Sequence, residues 1–209
     1  MLGFLDVILH LDVHLLAWVA EYGTWIYAIL FAIIFCETGL VVAPFLPGDS
    51  LLFVAGAIAA AGELNVHLLF ALLAAAAFLG NAVNYSIGRW LGPRLFANRQ
   101  SRFLNPAHLE SAHAFYDRHG GKAVVISRFL PIIRTYVPFV AGMARMHPRD
   151  FLAYNAAGAV LWTGGLTYAG YFFGNIPWIR GNLTAIIVGI VVVSLLPLAW
   201  AFVRSRLAR

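Results

Sequence analysis

Four ionisable residues stand where an apolar sequence should carry none: Glu37, Asp49, Arg128 and Arg134. Each lies inside or beside a stretch of aliphatic and aromatic residues, and Pro131 separates the two arginines. A charge at the centre of a membrane helix costs about 2.5–3.5 kcal/mol on insertion scales, so four together approach the whole stability of a typical domain. They must pair, touch water or sit shallow. Taken singly, each has an ordinary explanation. Glu37 can lie near the interface, Asp49 can cap a helix over 50–61 after Pro47-Gly48, and the arginines can snorkel. Taken together, two carboxylates and two guanidiniums point to one shared site. Guanidinium forks and the N–H groups of helix N-termini both hold phosphate oxygens. The carboxylates can neutralise the arginines between ligands and can exchange protons.

Other polar residues stand on long apolar segments: Asn81, Asn84, Tyr85 and Asn155. They can extend the site or tie one helix to another. Motifs that resemble enzymes do not survive inspection. Gly48-Asp49-Ser50-Leu51 spells the signature of the GDSL hydrolases, but their Asp-x-x-His partner is absent. Ser127-Arg128 matches part of a membrane lipid phosphatase signature, but Arg134 stands where that signature needs its His. With no nucleophile–base pair, no catalytic residue is expected and the chain is read as a non-enzyme. His10 and His14 can share a helical face, yet no further ligand lies near them, so neither a metal nor another cofactor is expected.

Composition sets the class. Of 209 residues 62% are hydrophobic and 11% charged, against about 25% charged in soluble domains. Mean hydropathy is +0.82. This excludes a soluble enzyme, a disulfide-rich secreted domain and a disordered tail. The single Cys36 lies in an apolar run. The net charge of +5 is not a nucleic-acid patch, because its distribution follows topology: no Lys or Arg precedes Arg89. Basic residues then gather in 93–121, at Arg145 and Arg149, and at Arg204, Arg206 and Arg209, all predicted cytoplasmic by the positive-inside rule. The N-terminus lacks the positive region of a signal peptide.

The elements that must position these charges follow from segment length. The expectation is one all-α, polytopic integral membrane domain over 1–209, with both termini cytoplasmic. Residues 1–20 form an interfacial helix and 24–43 a span. Residues 50–61 are too short to cross about 30 Å of hydrocarbon, so 38–62 becomes a re-entrant hairpin. A span over 67–91 leads to a cytoplasmic loop and helix over 93–121. Residues 122–144 carry Arg128, Pro131, Arg134 and Pro138, which argue against a straight span, and form a second hairpin; 151–174 and 182–203 complete the spans. The two hairpins enter from opposite faces, as an inverted repeat. Phe45-Leu46-Pro47 before Phe53-Val54-Ala55-Gly56 matches Phe129-Leu130-Pro131 before Phe139-Val140-Ala141-Gly142. Gly88-x-x-x-Gly92 and Gly170-x-x-x-Gly174 allow close helix packing, within a chain or in an oligomer.

Glu37-Thr38-Gly39-Leu40, Pro44-Phe45-Leu46-Pro47-Gly48-Asp49-Ser50, Asn84-Tyr85-x-x-Gly88-Arg89, Ser127-Arg128-Phe129-x-Pro131-x-x-Arg134 and Gly170-Tyr171-x-x-Gly174 resemble, in order, the bacterial DedA family. The resemblance implies an inner-membrane protein with two facing re-entrant hairpins. It implies movement of lipids between leaflets, notably recycling of undecaprenyl phosphate, with a dependence on proton motive force in some members. The family's acidic residues map onto Glu37 and Asp49, and its arginines onto Arg128 and Arg134. Asn81 departs from the Asp expected there, which weakens a proton relay at that position. The expected function is a flippase for a phosphate-bearing lipid, with membrane lipids and protons as partners. A non-selective phospholipid scramblase and a proton-coupled small-ion transporter are the alternatives.

Overall fold

The computed structural model describes residues 11–40, 48–97, 113–114, 116–130, 133–174, 176–177 and 189. No strand occurs among them. The helices are α1 (Leu11–Tyr22), α2 (Ile26–Gly39), α3 (Gly48–Ala60), α4 (Val66–Ala97), α5 (Ala123–Ile126), α6 (Tyr136–Met143) and α7 (Pro148–Phe173). Short 3₁₀ turns, Gly23–Trp25, Gly120–Lys122 and Ser127–Phe129, join α1 to α2 and flank α5. Apart from residue 189, the expected span over 182–203 falls outside the described residues, as do the first ten residues of the interfacial helix, Pro47 and Pro131.

Length separates the helices into two kinds. Val66–Leu91 of α4, in which an 18-residue stretch has a mean hydropathy of 2.0, is long and apolar enough to cross a membrane. A helix long enough for the expected span at 67–91 is therefore present, and it runs on past Pro93 to Ala97, into the start of the segment read as a cytoplasmic loop and helix. α7 has 26 residues, about 39 Å at 1.5 Å per residue. Asn155, Thr163, Thr167 and several glycines make it less apolar. By contrast α3 has 13 residues and α6 has 8, about 20 and 12 Å. Neither reaches across the hydrocarbon.

The short helices are also the enclosed ones. In α3, Gly48 and Ser50 to Ala59 are buried, and in α6 Tyr136 to Gly142 are buried. A helix apolar on every side is stable only when protein surrounds it or lipid does. Here protein does. The long helices instead turn one apolar face outward, with Leu79, Val83 and Trp90 exposed on α4 and Leu152, Val160, Leu161 and Phe172 on α7. Acyl chains are as apolar as these side chains, so a face that would be sticky in water suits a bilayer.

Local chemistry fixes the ends of these helices. Asn65 caps α4, its Oδ1 accepting from the N–H groups of His67 and Leu68 at 3.0 Å. α3 begins at Gly48, so Asp49 sits in its first turn. It does not cap a helix starting at residue 50, as the sequence suggested, but places negative charge at the positive end of the helix dipole. Leu130 is extended (φ −118°, ψ 98°), as a residue before proline must be, and this breaks 122–144 into two helical halves. α6 closes with Arg145 in the left-handed region (φ 56°). There the N–H of Met146 donates to the Ala141 carbonyl and that of Arg145 to the Gly142 carbonyl, the two bonds of a Schellman motif.

The chain forms two compact units, 1–31 with 47–73 and 163–209, and 32–46 with 74–162. Each contains one copy of the Phe-Val-Ala-Gly fragment, and each packs it the same way. In the first unit, a methyl added to Gly170 would lie 2.8 Å from the carbonyl carbon of Phe53, and one on Gly56 would lie 3.0 Å from the nitrogen of Tyr171. In the second, a methyl on Gly88 would lie 2.8 Å from the carbonyl carbon of Phe139, and one on Gly142 would lie 2.7 Å from the nitrogen of Arg89. Side chains do not fit at such crossings, because backbone meets backbone. The fragment repeat thus encodes a repeated helix crossing, and Gly88 and Gly170 serve packing within the chain.

Candidate functional site

Three buried charges gather in the second unit. Four elements deliver the groups around them. The last turn of α2 brings Glu37 and Thr38, and α4 brings Ala77, Asn81 and Asn84 on one face at helical spacing. The broken segment brings Arg128, Arg134 and Thr135. α7 brings Asn155, Gly158 and Trp162, again on one face.

Arg134, 7% exposed, donates from Nη2 to Oε1 of Glu37, which is wholly buried. Arg128, 3% exposed, donates from Nη2 to Oδ1 of Asn155 at 2.6 Å and to the Ala77 carbonyl at 3.2 Å. Asn155 is itself held, its Nδ2 donating to the Phe78 carbonyl at 2.9 Å. With its amide oriented to suit its neighbours, Asn81 accepts from Arg128 Nη2 at 3.0 Å and donates to the Thr38 carbonyl at 3.2 Å. Asn84 donates to the carbonyls of Thr38 and Thr135 at 3.3 and 2.7 Å. Thr38 lies one residue from the end of α2, where helix carbonyls have no partner of their own. The two asparagines of α4 supply those partners, so their amides tie α4 to α2 and to the Arg134 turn.

The charge balance matters most. Among the described residues, one carboxylate and two guanidiniums leave one net positive charge in a buried site, and guanidinium does not deprotonate. Thr38, Asn81, Arg128, Arg134, Thr135 and Trp162 line a cavity of about 10 Å³, room for a single water. Among the described residues, Arg128 Nε, Asn84 Oδ1 and Thr135 Oγ1 have no hydrogen-bond partner. A phosphate group is larger than this space.

Of the residues singled out in the sequence, the structure brings Glu37, Arg128, Arg134, Asn81, Asn84 and Asn155 together. Gly48 and Asp49 open α3 in the first unit. Tyr85 serves elsewhere. Its ring stacks on Phe151 with centroids 4.1 Å apart, and its hydroxyl donates to the Met146 carbonyl and accepts from Arg89 at 2.9 Å. It braces the turn between α6 and α7. Sequence reasoning passed over Thr38, Thr135, Gly158 and Trp162. A signal for two of them was present: Asn155, Gly158 and Trp162 recur one turn apart on a helix, a polar and small stripe in an apolar span. Among the described residues, no group of three or more metal-ligating side chains occurs.

Comparison with known proteins places the chain among membrane proteins. Residues 46–172 match the VTT domain. Protein DedA of Escherichia coli K12 is 56% identical over 206 residues, covering 98% of this chain and 94% of that protein. An uncharacterized membrane protein of Mycobacterium leprae is 43% identical over 195 residues, 90% of this chain and 87% of its own length. Inner membrane protein YghB of Escherichia coli K12 is 38% identical over 155 residues, 74% and 71% of the two chains. No solved structure matches. A VTT domain spanning most of the chain, and relatives of this identity over nearly its full length, show that the chain belongs to the DedA family of bacterial inner-membrane proteins.

Proposed function

We propose that the chain is a flippase, not an enzyme, that carries a phosphate-bearing lipid, undecaprenyl phosphate, between leaflets with proton coupling. The observation that carries this reading is the buried net positive charge: two arginines, one of them bonded to Glu37, around a cavity with polar atoms still seeking partners. A phosphate replaces Glu37 on Arg134 and completes the balance. Glu37, released, and Asp49 take up protons. The test is translocation in proteoliposomes of labelled undecaprenyl phosphate and, in parallel, labelled phosphatidylethanolamine. Saturable, pH-dependent movement of the first alone is expected, with the pH dependence lost in Asp49→Asn. Equal movement of both lipids would indicate a scramblase, and proton-linked ion flux with neither lipid moving would indicate an ion transporter.

The same reading includes a topology. Residues 38–62 and 122–144 are re-entrant hairpins entering from opposite faces, with both termini and 93–121 cytoplasmic. What supports it is that α3 and α6 are too short to cross, are enclosed by protein, and are crossed alike by long helices. Enclosure satisfies the rule that broken backbone at membrane depth must be shielded from lipid. With the single Cys36 replaced by alanine, Glu63→Cys should label from outside and Gln100→Cys from the cytoplasm. Labelling of both from one side would end the inverted arrangement.

A further inference from the structure

Trp162 faces both buried arginines. Its side chain is 2% exposed. The guanidinium carbon of Arg134 lies 5.4 Å from its ring centroid and that of Arg128 5.9 Å. Two like charges are thereby gathered on one indole. A carboxylate could also stabilise them, but it would accept their N–H groups and compete with an anionic ligand for the same donors. An aliphatic side chain would fill the space and leave the repulsion untouched. An indole differs from both: its π face attracts cations, and it offers no acceptor atom. It offsets charge without itself accepting from their N–H groups.

We infer that Trp162 is a positioning residue for anion recognition, holding the guanidiniums of Arg128 and Arg134 toward one phosphate without occupying their N–H groups. The inference rests on the phosphate-lipid reading above. Gly158, one turn away on α7, belongs to the same device. A methyl there would lie 2.9 Å from Cδ of Arg128 and 3.0 Å from its Nε, so a side chain at 158 would require the arginine stem to shift away from the helix.

The experiment is calorimetric titration of the purified full chain with farnesyl phosphate, with uncharged farnesol as the control. The wild type should bind the phosphate more tightly than the alcohol. If it does not, the phosphate-lipid reading fails and takes this inference with it. Given that preference, Trp162→Phe should keep most of the phosphate affinity. Trp162→Met, similar in bulk but without a ring, should lose about tenfold to a hundredfold. Farnesol affinity should be unchanged in both. Equal phosphate affinity for the Phe and Met variants would overturn the inference, because a merely structural role does not distinguish ring from chain. Fluorinated tryptophans placed at 162 keep the shape and withdraw the π charge, so they serve if Trp162→Met is not monodisperse. A stepwise fall in phosphate affinity along that series is expected, and a flat series would overturn the inference equally.

Discussion

Arg134→Lys is expected to fold, to keep its charge beside Glu37, and to bind a phosphate-bearing lipid about ten- to a hundredfold more weakly than the wild type. The reason is geometric. Guanidinium presents parallel N–H donors to two oxygens at once, whereas ammonium is a point charge on a flexible stem. Arg134 bonds Glu37 through Nη2, an interaction that Lys can approximate. It cannot reproduce the fork. A charge-assisted hydrogen bond is worth about 1.5–3 kcal/mol, which sets the expected range. If Arg134 served only to balance Glu37, Lys would do nearly as well. Lipid binding by purified Arg134→Lys, with monodispersity as the folding control, separates the two, and wild-type affinity would dismiss the phosphate fork.

Glu37→Ala should be the most destabilising single change in the site. Removing one member of a buried ion pair costs about 3–5 kcal/mol, because the remaining charge keeps its desolvation penalty. The cost is asymmetric here. Arg134→Ala leaves a carboxyl that can become neutral by taking a proton, while Glu37→Ala leaves a guanidinium that cannot lose one. Denaturant unfolding in detergent should therefore rank Glu37→Ala below Arg134→Ala. The double variant should be more stable than the sum of the two losses predicts. A Glu37→Ala protein unfolding at the wild-type midpoint would show that the pair contributes nothing to stability.

Glu37 and Asp49 look alike in the sequence: each is a carboxylate in an apolar stretch near a glycine. In the structure their settings differ. Glu37 is wholly buried on Arg134, and Asp49 is half-buried in the first turn of α3, in the unit that Glu37 does not belong to. The same limit applies to Tyr85, which stands one residue from Asn84. Helical rotation of about 100° per residue turns neighbours toward different surroundings. Asn84 meets the ends of α2 and the Arg134 turn, whereas Tyr85 meets Phe151 and Met146.

Residue composition and segment length alone determined that the chain belongs in a membrane and that 67–91 is long enough to cross it. They also determined that 50–61 is too short, that 122–144 cannot run straight past its prolines, and that charges at Glu37, Asp49, Arg128 and Arg134 need partners. These are local properties: hydropathy, rise per residue and the backbone restriction before proline act within a few turns. Which partners those charges take was decided only by tertiary structure. Glu37 and Arg134 are 97 residues apart, and Arg128 reaches Asn155 across 27. Trp162 could equally have been exposed, as Trp25 and Trp90 are. The glycine crossings and the asparagine bridges set how the helices dock, and docking sets which side of each helix meets a charge. An apolar helix carries little amphipathic signal to say which side that is, because lipid and protein interior are nearly equivalent solvents for its side chains.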